Sequence, residues 1–190
     1  RLGGNSLSDL IVFGKRAGEH AAQRARNLAP PPIDEDQVKA AIATMLEPLE
    51  RGEGENPGRI YDEMRDMMQA KVGIIRTKEE LEEALSDLKA FRARAEACFP
   101  GTDRRYNSGW HQALDLINMA DISTVAALAA LTREESRGGH TRDDFPVPDE
   151  DHWGQHLNIV WMEDGEIKIR QERIEPIRHD LQVTLDEVKA

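Results

Sequence analysis

The chain has 190 residues, 39% hydrophobic and 32% charged, enough for one ordinary domain or a small domain with an appendage. Its 25 Lys and Arg against 36 Asp and Glu leave a formal charge of -11, which excludes a nucleic-acid partner, because that role needs a net basic face. An aromatic share of 5% argues against an all-β sandwich. No run approaches the ~18 apolar residues of a membrane span. The lone Cys98 can make neither an internal disulfide nor a cysteine cage, which points to a reducing compartment.

The chain opens at Arg1 with no secretory pattern and runs straight into Leu2-Gly3-Gly4-Asn5-Ser6-Leu7, turn chemistry followed by an amphipathic run; this reads as a fragment of a larger protein. A first helix is expected over Ser6 to Leu28, capped by Asn5, Ser6 or Ser8. Gly14, Gly18 and Ala22 form a stripe of small side chains on it, which suits close packing on a sheet or helix. Ala29-Pro30-Pro31-Pro32 ends it in a stiff linker and marks a domain boundary. A second helix starts at Asp34-Glu35-Asp36-Gln37, with Val38, Ile42, Met45, Leu46 and Leu49 as its expected buried stripe.

Asn56-Pro57 opens a third helix, burying Ile60, Met64, Met67, Met68 and Val72. Thr77-Lys78-Glu79-Glu80 is a capping box for a fourth, with Leu81, Leu85, Leu88, Phe91 and Ala95 inward. A last long helix, Asn107 to Arg133, carries Trp110, Leu114, Ile117, Val125, Leu128 and Leu131. The fold expected is mainly α: an antiparallel bundle of three to four long helices, followed by a β-hairpin about Asp164-Gly165 and an extended C-terminal tail. The divisions are 1–29, 30–133 and 134–190.

Dinucleotide and phosphate-loop glycine motifs and a paired-cysteine zinc pattern are all missing. His152 and His156 share a spacing but lead into a strand and read as a solvated turn. Two segments stand out. Arg1 beside a helix N-terminus combines a planar guanidinium fork with free amides, which makes it an anion-site candidate. In Glu134 to Pro146, Glu135, Ser136, Arg137, His140 and Arg142 sit in a glycine-broken turn of dense charge. That segment reads as an interface or structural ion-pair network in preference to a catalytic one.

Arg1 to Gly14 resembles the stretch closing the flavin-binding domain of succinate dehydrogenase and fumarate reductase flavoproteins. Lys71-Val72-Gly73-Ile74-Ile75-Arg76-Thr77, then Glu135-Ser136-Arg137-Gly138-Gly139-His140, Asp144-Phe145-Pro146 and Trp153, are similar to the family's C-terminal helical domain, in order. The resemblance implies that residues 1–29 are the last helix of a truncated FAD-binding domain. It also implies that Arg1 grips a carboxylate of the dicarboxylate substrate, and that Ser6 and Leu7 contact the isoalloxazine ring of FAD. No catalytic residue and no metal ligand falls within the chain, which alone is expected to hold no FAD and to be inactive. The implied partners are the flavin-binding domain of the same chain, an iron–sulfur subunit and, through it, a membrane anchor. The implied place is cytoplasmic, peripheral to the inner face of the membrane without insertion. L-aspartate oxidase has a similar Ser-Arg-Gly-Gly-His loop, but Gly3-Gly4 and Asp9 lean toward the succinate/fumarate branch. A helical docking module without redox chemistry is the reading from a different class.

Overall fold

The computed structural model describes the backbone of residues 5–189 and the side chains of residues 6–187. Two compact units divide at residues 42 and 43. In the first, α1 (Asn5–Asn27) ends with Arg24 and Arg26 against its negative pole, and its first turn holds no acidic residue. Leu7, Leu10, Ile11 and Phe13 are all well exposed. A Cβ placed on Gly14 or Gly18 would meet nothing within 4 Å among the described residues. Helix α2 (Glu35–Glu50) is capped by Asp34, whose Oδ1 accepts from the amides of Asp36 (3.0 Å) and Gln37 (3.1 Å).

The second unit is built on α3 (Pro57–Lys71), α4 (Lys78–Ala97) and α5 (Ser108–Thr132), a mainly α bundle. Each start is dictated locally. Asn56 Oδ1 accepts from the Gly58 amide at 2.8 Å with Pro57 as the first helical residue. Thr77 and Glu80 complete a capping box, and Asn107 Oδ1 accepts from the Trp110 amide at 3.0 Å. Ile60 and Met64 of α3, Leu81, Leu88, Phe91 and Ala95 of α4, and Ala113, Leu116, Ala120, Ala127 and Ala130 of α5 form one core.

Two expectations are corrected, for α2 and for the C-terminal tail. Val38, Ile42 and Met45 of α2 are exposed and only Pro48 and Leu49 in its final turn are buried. Periodicity reveals an apolar face but not what covers it, and the core closes with three helices. On α5 the buried line runs through Leu116 and four alanines, while Trp110, Leu114, Ile117, Val125, Leu128 and Leu131 are half-buried flanks. This helix is apolar on most of its surface, so packing chose the small residues that let α4 come close. By length and composition α5 could cross a membrane; here it is the central helix of the bundle, with Asp121 paired to Arg92 Nε at 2.7 Å. Finally, the tail is not extended: α6 (His179–Lys189) is helical, with Thr184 Oγ1 bonded back to the Asp180 carbonyl at 3.2 Å. Leu181 and Leu185 fit a spacing of four as well as an alternation.

Two small sheets complete the unit. β1 (Ile75–Arg76) pairs in parallel with β2 (Thr141–Arg142), and β3 (His156–Glu163) pairs with β4 (Glu166–Arg173) as a hairpin. Asp164 (φ 53) and Gly165 (φ 78) turn that hairpin with two positive-φ residues, as the sequence signal implied. Asn158 ties it to α5 through a 3.1 Å bond from Nδ2 to the Ala129 carbonyl.

Replacing the fully buried Ala127 by leucine is expected to overpack the α5 seam and cost about 1–3 kcal/mol. In urea the midpoint should fall while the slope of the transition stays unchanged.

Candidate functional site

The charged turn after α5 is an internal clamp. α5 has no basic residue in its own last turn, so its terminal carbonyls need a partner. Arg142, fully buried, supplies one: Nη1 donates to the carbonyls of Ala130 (3.0 Å) and Leu131 (2.9 Å). Its Nε donates to Asp144 Oδ1 at 2.7 Å, Nη2 reaches Oδ2, and the guanidinium lies 5.0 Å over the Phe145 ring. The other oxygen of Asp144 accepts from the Lys78 amide, the first residue of α4, at 3.2 Å. One ion pair thus joins the negative end of α5 to the positive end of α4. The Arg142 hydrogen bonds hold the Asp144 carboxyl below the usual carboxylate range.

Glu135, also fully buried, is gripped from both sides. Arg133 Nε donates to Oε1 at 2.8 Å, Arg137 donates to both oxygens at 3.0 Å, and the Asp149 amide donates to Oε2 at 2.8 Å. Burial pushes its pKa up, but the Arg137, Asp149 and Arg133 bonds outweigh burial and hold it at about 2. Arg133 continues to the Trp153 carbonyl at 2.9 Å and stacks 5.2 Å from the Trp153 ring, which anchors the segment leading into the hairpin. Ser136 Oγ accepts from the Arg142 amide at 2.9 Å and lies 2.8 Å from the Phe145 carbonyl.

His140 links the turn to β1. Its Nδ1 is 3.0 Å from Arg76 Nη1 and its Nε2 is 3.0 Å from the Arg133 carbonyl. A guanidinium can only donate, so Nδ1 accepts and Nε2 carries the proton: the ring is neutral in one tautomer. Burial, with the charges of Arg76, Arg142 and Arg133, pushes its pKa down.

The five network residues expected from the sequence are therefore brought together. Arg76, Arg133, Asp144 and Asp149 complete them. Arg133 was signalled by the Arg133-Glu135-Arg137 alternation, whereas nothing local announces Arg76, which lies 64 residues from its histidine partner. Each charged or hydroxyl side chain of this cluster bonds at least one neighbour, so the arrangement serves to position backbone. Ser6 and Leu7 open α1 in the first unit, and Arg1 lies outside the described residues. His152 and His156 stack at 4.6 Å, and no group of three or more metal-ligating side chains exists among the described residues.

Arg142→Ala is expected to cost about 3 kcal/mol, because Asp144 and two helix-end carbonyls lose their donor, and Arg142→Lys should recover less than half of that, since it cannot span all four acceptors. Urea unfolding of both variants checks this. The His140 pKa lies below its unfolded 6.5, so the unfolded chain binds the extra proton first and stability falls as pH drops below 6.5. Glu135 acts in the same direction further down: its contribution is full above 4.5 and fades as pH falls toward 2. A His140→Gln variant should flatten the upper part of that pH profile and leave the lower part in place.

Comparison with known proteins agrees with this architecture. The family profile described as "Fumarate reductase flavoprotein C-term" matches residues 61–187. The chain is 33% identical over 178 residues to the succinate dehydrogenase flavoprotein subunit of Coxiella burnetii, covering 93% of this chain and 30% of that protein. It is 34% identical over 177 residues to the fumarate reductase flavoprotein subunit of Mycobacterium tuberculosis, covering 89% of this chain and 30% of the relative. Among solved structures, the Mycobacterium smegmatis Sdh1 complex in its apo form superposes with a TM-score of 0.83 at 42% identity, over 95% of this chain and 32% of that one. The chain thus spans about 30% of the length of the curated relatives it matches. It belongs to the C-terminal family of succinate dehydrogenase and fumarate reductase flavoproteins.

Proposed function

We propose that this chain is the C-terminal region of an FAD-dependent flavoprotein subunit that interconverts succinate and fumarate and passes electrons to an iron–sulfur subunit. In this reading residues 1–29 close the flavin-binding domain, 30–133 form the helical bundle, and 134–190 hold the charged turn, hairpin and tail. The observation that carries it is α1, in a chain similar to such subunits over 93% of its length. The helix has five large apolar side chains, Leu7, Leu10, Ile11, Val12 and Phe13, exposed for a cover, and its first turn is free of carboxylates.

That first turn fits part of a flavin site. Backbone amides at Ser6 and Leu7 put partial positive charge where an electron-rich ring edge would lie, and no acidic side chain competes for them. The flavin, when bound, supplies the hydride-accepting ring. Arg1 holds a substrate carboxylate in a planar fork, fixing the reacting carbon near the ring. The bundle offers no acid or base; its turn keeps α4, α5 and the hairpin in register for the subunits that pack around it. Partners are the flavin-binding domain, the iron–sulfur subunit and, through it, a membrane anchor, on the cytoplasmic side at the inner face of the membrane. Alone, these residues hold no FAD and turn over no succinate.

Dye-linked oxidation by the full-length protein, with succinate and L-aspartate offered side by side, tests this. Succinate turnover that falls about 100-fold in kcat/KM with Arg1→Ala is the expected result. Aspartate turnover would move the protein to the oxidase branch, and activity on neither, without bound flavin, would leave only a helical docking module.

A further inference from the structure

Among the described residues, Arg76 is the one guanidinium of the charged cluster that no carboxylate neutralises. Arg133 and Arg137 share Glu135, Arg137 also meets Glu150, and Arg142 has Asp144. Arg76 instead donates to carbonyls at the end of α3, those of Val72 at 3.3 Å and Gly73 at 2.7 Å, and to His140 Nδ1 at 3.0 Å. Its one side-chain partner is therefore an imidazole.

That partnership works only for the neutral ring. Nδ1 must keep its lone pair to accept from Arg76, while Nε2 donates to the Arg133 carbonyl at 3.0 Å. A second proton can go only to Nδ1, where it would set donor against donor and cation against cation across 3.0 Å. The other charges acting on the ring are cations too, Arg142 of β2 and Arg133 at the end of α5. The carboxylates of the turn, Glu135 and Asp144, are bound to arginines and stay ionised below their ordinary range. Few backbone contacts back this bond up: the Asp143 amide donates to the Arg76 carbonyl at 2.9 Å, and two residues of β1 pair with two of β2. The capping box at Thr77 and the bond from the Val72 amide to the Met68 carbonyl fix both ends of the connection, so β1 can part from β2 with α3 and α4 intact.

We infer that His140 is a proton-operated latch: protonating its ring releases β1 from β2, while the Arg142–Asp144 clamp and the helical core stay closed. Once the turn has opened, the ring takes a proton at its ordinary pKa of 6.5, a proton that the closed turn refuses. The open form therefore binds the extra proton, and acid favours it. With the closed ring neutral throughout, the open fraction rises about tenfold between pH 7.5 and pH 5.5.

Hydrogen exchange of the full-length protein, read residue by residue after fragmentation of its peptides, tests this. Protection of the Asp143 amide, corrected for the pH dependence of free-chain exchange, is expected to fall about tenfold between pH 7.5 and pH 5.5. Dilute urea should leave that amide unchanged while it speeds exchange at Leu88 in the core, because opening the latch exposes little surface. His140→Gln keeps an acceptor for Arg76 and a donor for the Arg133 carbonyl but cannot titrate, so Asp143 protection should then change by less than about twofold. Arg76→Gln removes the opposing cation and should shrink the fall as well. Constant protection in the wild-type protein overturns the inference, as does a fall that persists in His140→Gln. An Asp143 amide that follows Leu88 in its urea response overturns it too, since β1 would then open only with the whole bundle.

Discussion

The ion pair of Arg142 with Asp144 is the contact on which the second unit depends. A helix end exposes carbonyls and a helix start exposes amides, and each must find a partner when packed. α5 has no basic residue in its last turn, and the amide of Lys78, which opens α4, needs an acceptor. Arg142 serves the first need and Asp144 the second, and their mutual bond couples the two helix ends. The buried charge is tolerable because each nitrogen of the guanidinium fork has an acceptor and Phe145 covers its face.

Around that pair the rest of the turn extends outward. Glu135 gathers Arg133 and Arg137, Arg133 reaches the Trp153 carbonyl, and the hairpin begins from there. His140 carries the same organisation back to β1 through Arg76. Dense charge in a sequence often marks a catalytic or docking surface. Here Glu135 and Arg142 are fully buried, and the perturbed ionisation of Glu135 and Asp144 reports structural ion pairs, because each shift has a hydrogen-bonded arginine partner.

In the proposed reading the reactive parts gather at the start of α1 and in the flavin-binding domain, while the bundle supplies shape. The polar clamp ties the end of α5 to the start of α4 and to the segment that leads into the hairpin.

Local features were legible from the residues themselves. The caps at Asn56 and Thr77 and the Asp164-Gly165 turn involve neighbours a few positions apart, so their physics is written within a short window. The family resemblance was legible for the same reason, its motifs being contiguous. The sequence alone therefore determined the helical elements of the bundle, the hairpin, and five residues of the charged cluster. Tertiary structure decided the rest: that α5 packs by its alanines, that α2 leaves most of its stripe exposed, that residues 179–189 coil into a helix, and that Arg76 meets His140 across a parallel strand pair. Each of these depends on which surfaces the folded chain brings together, and spacing along one element carries no record of its distant neighbour.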